Sequence, residues 1–198
     1  MIIYGSPRYS EDLDFSLFGV VLHQVKETVE NLFLIVLKNI EQIGIKVELG
    51  EKSDVTTGGY FGTATFRMHD FQPIGVDINV SARGSEMIHG EVDSVANDFI
   101  PTYNIIHLSK EMLVEEKIFG ALLERKKPRD FYDLYWMMRK GLLTSEQKVR
   151  LSKYKNQILE NAKNIDFRSE LGVFLPADQQ NIVRQFLSTL TLELDRQF

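Results

Sequence analysis

Three aspartates carry the first chemical signal in this chain. The stretch "RYSEDLDFS", residues 8–16, sets Asp12 and Asp14 at alternate positions with Leu13 and Phe15 interleaved. Alternate residues of a strand share a face. Read as a strand, it holds two carboxylates side by side and turns Leu13 and Phe15 toward a core. Paired carboxylates resist joint ionisation unless a cation offsets them. A divalent, oxygen-loving metal such as magnesium, held by one or two carboxylates plus substrate phosphates, is the chemistry such a pair serves. A bare D-x-D is a weak motif, and alone it reads better as a solvated strand edge. "IGVDINV", residues 74–80, supplies a third acid. Ile74, Val76, Ile78 and Val80 alternate with Gly75, Asp77 and Asn79, so Asp77 is a single acid on the polar face of an apolar strand. If that strand lies beside the first, Asp77 joins Asp12 and Asp14. Three carboxylates from two strands are the minimum for two-metal phosphoryl transfer.

A second constellation lies in the helical half. Lys117 sits within one turn of Leu113, Gly120 and Ala121. A lysine among apolar and small residues either snorkels to water or reaches an anionic ligand. "RKKPR" at 125–129 packs four basic residues into five positions; it is either plain surface or what a phosphate-rich partner meets. Asp130 and Asp133 stand three apart on one helical face, with Arg129 spaced to pair with Asp133. Acids also favour a helix's first turn for purely structural reasons. The four histidines, His23, His69, His89 and His107, show no metal-ligand spacing. Tyr132, Tyr135 and Trp136 read as helix-packing residues rather than a base-stacking platform.

The elements that must position these groups are legible in outline. Residues 20–43 read as a helix, with Val25, Val29, Leu32, Val36 and Ile40 at three- and four-residue steps and Gly44 as its stop. Residues 45–49, 60–68 and 74–82 read as strands. "TTGGYFGT" at 56–63 leads into a strand and reads as a hairpin turn with a bulge. Ser109 caps a helix running to about Arg125. Pro128 opens the next, which runs to Gly141. "TSEQ" at 144–147 is a capping box, and a last helix fills roughly 178–195. The pattern predicts an α+β fold with a C-terminal helical bundle, divided into a core at 1–108 and a helical part at 109–198.

Composition narrows the class. The 198 residues are 43% hydrophobic and 26% charged, ordinary for a globular chain with a real core. There is no cysteine, which excludes disulfides and cysteine-ligated zinc. A net charge of −5 gives no general nucleic-acid signal, so a polyanion partner needs a local basic patch. The longest apolar run, at 32–37, is too short to span a bilayer. No basic-then-apolar leader is visible, and the expectation is a cytoplasmic protein.

Taken together and in order, "RYSEDLDFS", "VDINVSAR" and "LSKEMLVEEKIFGALLERKKPRDFYDLYWM" resemble the nucleotidyltransferase-like toxins of the abortive-infection AbiEii/AbiGii type. The specific parts are S-x-D-L-D-F and E-K…R…R-D-x-Y-D-L. The resemblance spans about residues 4–141; beyond that the match is only in being helical.

The resemblance implies a DNA polymerase-β-type nucleotidyltransferase fold, a mixed sheet flanked by helices with a helical C-terminal half. It implies that Asp12 and Asp14 are the metal-binding pair and Asp77 the third carboxylate, with Ser10 at the nucleotide phosphates and Lys117 on the triphosphate. Arg129, Asp130 and Asp133 would close the site, Asp130 acting directly, and Arg8 would brace the loop leading into the first strand. The implied reaction is attack of a hydroxyl on the α-phosphate of a nucleoside triphosphate, with two magnesium ions and release of pyrophosphate. The implied acceptor is RNA, notably the 3′ end of transfer RNA, and the implied partner a cognate antitoxin; no membrane is involved. One departure stands out. The family's Gly-Gly-Thr or Gly-Ser turn precedes the aspartates by a short helix, whereas Gly5-Ser6 lies only a few residues before Asp12. Two readings stay open: a chain truncated before that turn, or a catalytically impaired member acting as a binding module for an antitoxin or nucleic acid.

Overall fold

A computed structural model describes residues 2–10, 12–49, 54–56, 58–82, 90–96 and 101–198. Glu11, Arg83 and His89, which belong to stretches discussed above, lie outside the described residues. The chain forms two compact units, one of Ser10–Ile88 and one joining Met1–Tyr9 to His89–Phe198. This is a different cut from a division at 108/109: the first nine residues and the segment after 88 go with the helices.

The sheet unit contains β1 (Asp12–Leu17), α1 (Val25–Gln42), β2 (Lys46–Leu49), β3 (Asp54–Thr56), β4 (Gly59–Arg67) and β5 (Ile74–Ala82). Its strand order is β1-β5-β4-β2, with β3 also paired to β4. β1 runs parallel to β5, and the other pairings are antiparallel. A parallel pair needs a long crossover, which α1 and the intervening strands supply. Tyr60, Ala64, Ile78 and Val80 are buried on one sheet face against Val25 and Val29 of α1. β3 pairs with β4 in unbroken register from Thr56–Gly59 to Asp54–Phe61, and Thr57, in the turn read as a hairpin with a bulge, lies outside the described residues. Gly59 is required: a Cβ there would meet the Val80 carbonyl oxygen at 1.9 Å.

Two core expectations are corrected. Leu13 and Phe15 were expected to face the core, yet they are 44% and 47% exposed. They do share the apolar face, in register with the buried Ile78 and Val80. But β1 is the edge strand, and α1 packs over β2, β3 and β4. Phe33 of the helix meets Phe15 edge-on. On α1 itself, Leu32 and Val36 are exposed. The inward row is Val25, Val29, Phe33 and Leu37, a strict four-residue step. The helix also starts at Val25, after a 3₁₀ turn at Leu22–Gln24, rather than at 20.

The helical unit opens with a 3₁₀ turn, Ile2–Tyr4, and a hairpin of β6 (Glu91–Val95) and β7 (Tyr103–His107). A long helix follows: α2 (Lys110–Val114), a π-helical stretch at Glu115–Leu122, and α3 (Leu123–Arg125). Ser109 caps it by accepting from the Met112 amide, and Lys126 in the left-handed region (φ 54°) ends it. Then come α4 (Pro128–Arg139), α5 (Ser145–Ser152), α6 (Lys155–Lys163), α7 (Phe167–Phe174), a 3₁₀ stretch at Ala177–Gln185 and α8 (Phe186–Gln197).

Nine of the twelve residues of α4 are buried, so it is the central helix of the unit. Phe131, Leu134 and Met137 are fully buried and pack among Ile118, Leu171 and Leu190. Pro128 starts α4 at N1, with Lys127 held extended before it. Gly141 ends it at φ +63°. There the Leu142 amide donates to the Met137 carbonyl and the Gly141 amide to that of Met138, a Schellman ending. Thr144 and Gln147 form the expected capping box of α5, each side chain accepting from the other's backbone amide. The architecture is α+β, with a mixed sheet, a small second sheet and a helical C-terminal half.

Candidate active site

In the sheet unit the parallel register sets Asp12 directly opposite Asp77, and Asp14 opposite Asn79. Neighbouring strands lie about 4.8 Å apart, so the Asp12 and Asp77 backbones are adjacent across the ladder. Thr63 of β4 is in turn opposite Asp77. Asp12, Asp14, Asp77, Asn79 and Thr63 therefore share the face away from α1. Their side-chain partners are hydroxyls. Ser10 donates to Asp12 Oδ1 at 3.2 Å and to its carbonyl at 3.1 Å. Thr63 Oγ1 donates to Asp77 Oδ1 at 2.8 Å. Asp14 and Asp77 are exposed and Asp12 half-buried. Motif reading missed Thr63 as a partner of Asp77; its place on the polar row of an alternating strand was the available signal.

The acids of the helical unit are in a different condition. Asp130 and Asp133 are each only 1% exposed. Asp130, the third residue of α4, accepts from the Lys127 amide at 3.1 Å and from Arg125 Nε and Nη2 at 3.0 and 2.7 Å. Asp133 is gripped by Arg8 through two parallel bonds, Nε to Oδ1 at 3.0 Å and Nη2 to Oδ2 at 3.1 Å. That partner lies 125 positions upstream, beyond any helical spacing rule. Arg129 lies over the Phe174 ring, 5.7 Å from its centroid. As folded, Asp130 presents no free carboxylate to solvent, which departs from its expected direct role. Arg125, its clamp, had been read only as part of a basic run.

Lys117 lies in the π-helical stretch, half-buried. Among the described residues it has no hydrogen-bond or ion-pair partner. π-helical turns recur at functional sites. Nearby charge is otherwise spent: Glu115 binds Arg150 and accepts from Gln147 at 3.0 Å. Burial alone would push the Glu115 carboxyl up, but the hydrogen bonds from Gln147 and Arg150, with the Arg150 charge, bring it below its ordinary value. Tyr132, on α4, is pushed up to about 12, chiefly by burial and further by Tyr135 and Asp133.

Remaining candidates resolve into structure. His107 has both ring nitrogens engaged, Nδ1 at 2.7 Å from the Leu108 carbonyl and Nε2 at 3.0 Å from Asp93, so it is not a free base. Trp136 stacks on Tyr132 and donates to the Tyr4 carbonyl. Among the described residues, Ser6 Oγ is buried without a hydrogen-bond partner.

The donor set on the sheet face suits a hard cation: carboxylate oxygens from two strands, with Asn79 and Thr63 beside them. Among the described residues, however, no three acid or histidine side chains are drawn together closely enough to hold an ion. The backbone register is in place, and the carboxylates are not gathered. Also among the described residues, no helix is long and apolar enough to cross a membrane.

Among known families, the model described as "Nucleotidyl transferase AbiEii toxin, Type IV TA system" matches the chain over residues 1–196. Searches of curated proteins and of solved structures return no match. The match runs through the sheet unit, the helical unit and the C-terminal helices beyond residue 141, where motif resemblance had faded. The chain belongs to the AbiEii family of nucleotidyl transferase toxins of type IV toxin–antitoxin systems.

Proposed function

We propose that this chain transfers a nucleoside monophosphate from a nucleoside triphosphate to an acceptor hydroxyl, as the toxin of a toxin–antitoxin pair. The observation that carries this reading is the pairing of Asp12 with Asp77 in parallel register, Asp14 following on the same exposed face. Magnesium, when bound to Asp12, Asp14 and Asp77, supplies charge neutralisation at the phosphates and a more acidic attacking hydroxyl. Ser10 and Thr63 hold one oxygen each of Asp12 and Asp77, which leaves the other lone pairs for cations. Lys117, half-buried and without a hydrogen-bond or ion-pair partner among the described residues, takes a triphosphate oxygen. The basic run at 125–129 offers Lys126 and Lys127 to an RNA backbone, and the acceptor we favour is the 3′ end of transfer RNA. The cognate antitoxin is the expected protein partner.

The test is incubation of the chain with labelled nucleoside triphosphates, magnesium and total RNA. Label should enter a discrete RNA band, and Asp14→Ala should abolish it with an unchanged unfolding midpoint. Equal labelling by the wild type and Asp14→Ala, or none by either, would sink the catalytic reading.

A second reading is a member that keeps the fold and binds RNA or an antitoxin without catalysis. Its support is that the sheet-face carboxylates are not gathered and that Asp130 and Asp133 are both consumed in ion pairs. RNA binding at full affinity by both wild type and Asp14→Ala, with no transfer by either, would favour it.

A further inference from the structure

Two aromatic residues stand side by side on β4, Tyr60 and Phe61, and the pleat sends them to opposite faces of the sheet. Tyr60 is buried in the core against α1, where Phe33 and Phe66 also pack. Phe61 is not part of that core. It lies half-buried on the acid face, and among the described residues no other ring meets it. A single apolar residue on a surface is ordinary. The register is what marks this one. Phe61 is opposite Asn79 of β5, and Asn79 is opposite Asp14 of β1. Asp14, Asn79 and Phe61 therefore form one row across three adjacent strands. At about 4.8 Å per strand, the outer two backbones of the row are about 10 Å apart. That is comparable with the span of a nucleoside monophosphate from phosphorus to base. Asn79 is half-buried and has no hydrogen-bond partner among the described residues, so its amide keeps donors and an acceptor to offer. Along the same face of β4, Phe61 is flanked by Gly59, which has no side chain, and by Thr63, which is turned to Asp77.

We propose that Asn79 and Phe61 form the nucleoside subsite of the acid face, with Asn79 on a ribose hydroxyl of the triphosphate and Phe61 stacked on its base. The chemistry along the row runs carboxylate, amide, aromatic ring. The groups along a nucleotide run phosphate, ribose, base, and each finds its match in the same order. Stacking accepts any base, because every base has a π-face. Phe61 therefore adds affinity for a nucleoside without choosing among bases. Asn79 gives a different discrimination: an amide that bonds a ribose hydroxyl loses its partner when an analogue lacks that hydroxyl. All three residues of the row belong to the sheet unit, so the subsite is built within one compact unit. The proposal rests on the transfer reading for the identity of the ligand, a nucleoside triphosphate.

The test measures equilibrium binding of labelled ATP with magnesium, in the absence of RNA, to the full chain and to Phe61→Leu, Phe61→Tyr and Asn79→Ala. The competitors are ribose 5-triphosphate, which lacks the base, and inorganic triphosphate, which lacks both base and ribose. Phe61→Leu keeps apolar bulk but loses the ring face, and should weaken ATP binding about fivefold or more, whereas Phe61→Tyr should stay within about twofold. The wild type should bind ATP about fivefold or more tighter than ribose 5-triphosphate. Asn79→Ala should reduce the preference for ATP over its 2′-deoxy or its 3′-deoxy analogue about threefold or more. Inorganic triphosphate reaches neither residue and should bind every variant within about twofold of wild type. Equal affinity of the wild type for ATP and ribose 5-triphosphate overturns the base contact, even if Phe61→Leu fails to fold. Unchanged ATP binding in Phe61→Leu overturns it as well, and parallel loss of ATP and inorganic triphosphate overturns it by making the ring structural. Unchanged preference against both analogues in Asn79→Ala overturns the ribose contact. Absence of ATP binding by the wild type overturns the subsite as a whole. Phe61-dependent binding of ATP without transfer to RNA supports the subsite and defeats only the transfer reading.

Discussion

Replacing Asp130 separates two accounts of the R-D-x-Y-D segment. If the buried carboxylate is structural, Asp130→Ala removes three things at once. The first is a cap on the Lys127 amide at the start of α4, worth about 1 kcal/mol. The second is the bond pair to Arg125. That arginine is 43% exposed, so solvent screens the attraction and the contribution is about 1 kcal/mol. The third is a negative charge in the first turn of α4, worth about 0.5 kcal/mol against the helix dipole. The sum is about 2.5 kcal/mol. Asp130→Asn keeps an oxygen for the Lys127 amide and loses the charge, so it should cost about 1–1.5 kcal/mol.

Trp136 is the chain's only tryptophan and lies on α4, so its fluorescence follows the helical unit. With a urea slope of about 2 kcal/mol/M, Asp130→Ala should lower the midpoint by about 1.2 M and Asp130→Asn by about half that. Transfer per folded molecule should survive in Asp130→Asn. A midpoint within about 0.3 M of wild type for Asp130→Ala, together with abolished transfer, would refute this reasoning. It would return Asp130 to the reacting atoms and imply that α4 opens before the chemistry.

Three further outcomes follow from the titration and hydrogen-bond satisfaction of particular groups. Glu115 has a folded pKa below its ordinary 4.5, so the stability it contributes is present above that pH and lost as pH falls through the folded value. Glu115→Gln should flatten the acid limb of the Trp136 unfolding profile below about pH 4.5, and parallel limbs for the two proteins would contradict it. Tyr132 shifts the other way: its folded pKa is raised from 10.0 to about 12, chiefly by burial, so the wild type loses stability as pH climbs between those values. Relative to Tyr132→Phe the loss should be about 1.4 kcal/mol per pH unit over that window, and a constant difference from pH 9 to 12 would refute it. Ser6→Ala removes a buried hydroxyl that has no partner among the described residues and should leave stability equal or raise it by up to about 1 kcal/mol. A loss above about 1 kcal/mol would mean that the hydroxyl is satisfied in solution.

Local chemistry was legible in the sequence where one short stretch decides it. The alternation in "IGVDINVSA" predicts a strand at 74–82, and β5 has those bounds. Ser109, Pro128 and the Thr144/Gln147 box each sit where the helix they open begins. What failed depends on partners far away in the chain. Leu13 and Phe15 alternate correctly, but whether that face is covered depends on how far α1 reaches across the sheet. The β6 and β7 strands were not anticipated, because Glu91, Asp93, Ser94 and Asn104 break the apolar pattern. The π-helical stretch has no side-chain signature. The Arg8–Asp133 fork spans 125 positions, and a single sequence carries no trace of it.

The acids show how placement changes meaning. In sequence, Asp12 and Asp14 at a two-residue step and Asp130 and Asp133 at a three-residue step are equivalent signals, pairs of carboxylates on one face of an element. Folding separates them by the donors they meet. The helix acids are buried, so each must be neutralised by a cation within the protein, and Arg125 and Arg8 do this with forks that take up both oxygens. A carboxylate so engaged has little left to offer a metal. Among the described residues Asp12 and Asp77 meet side-chain hydroxyls, and each hydroxyl satisfies one lone pair without supplying charge. Two adjacent strands thus keep negative charge that nothing among their described hydrogen bonds offsets. Such a face is stable in water at the price of solvation alone, and it gains most from a hard cation carrying phosphate oxygens. Charge left uncompensated, rather than the number of acids in a motif, is what distinguishes the strand acids from the helix acids.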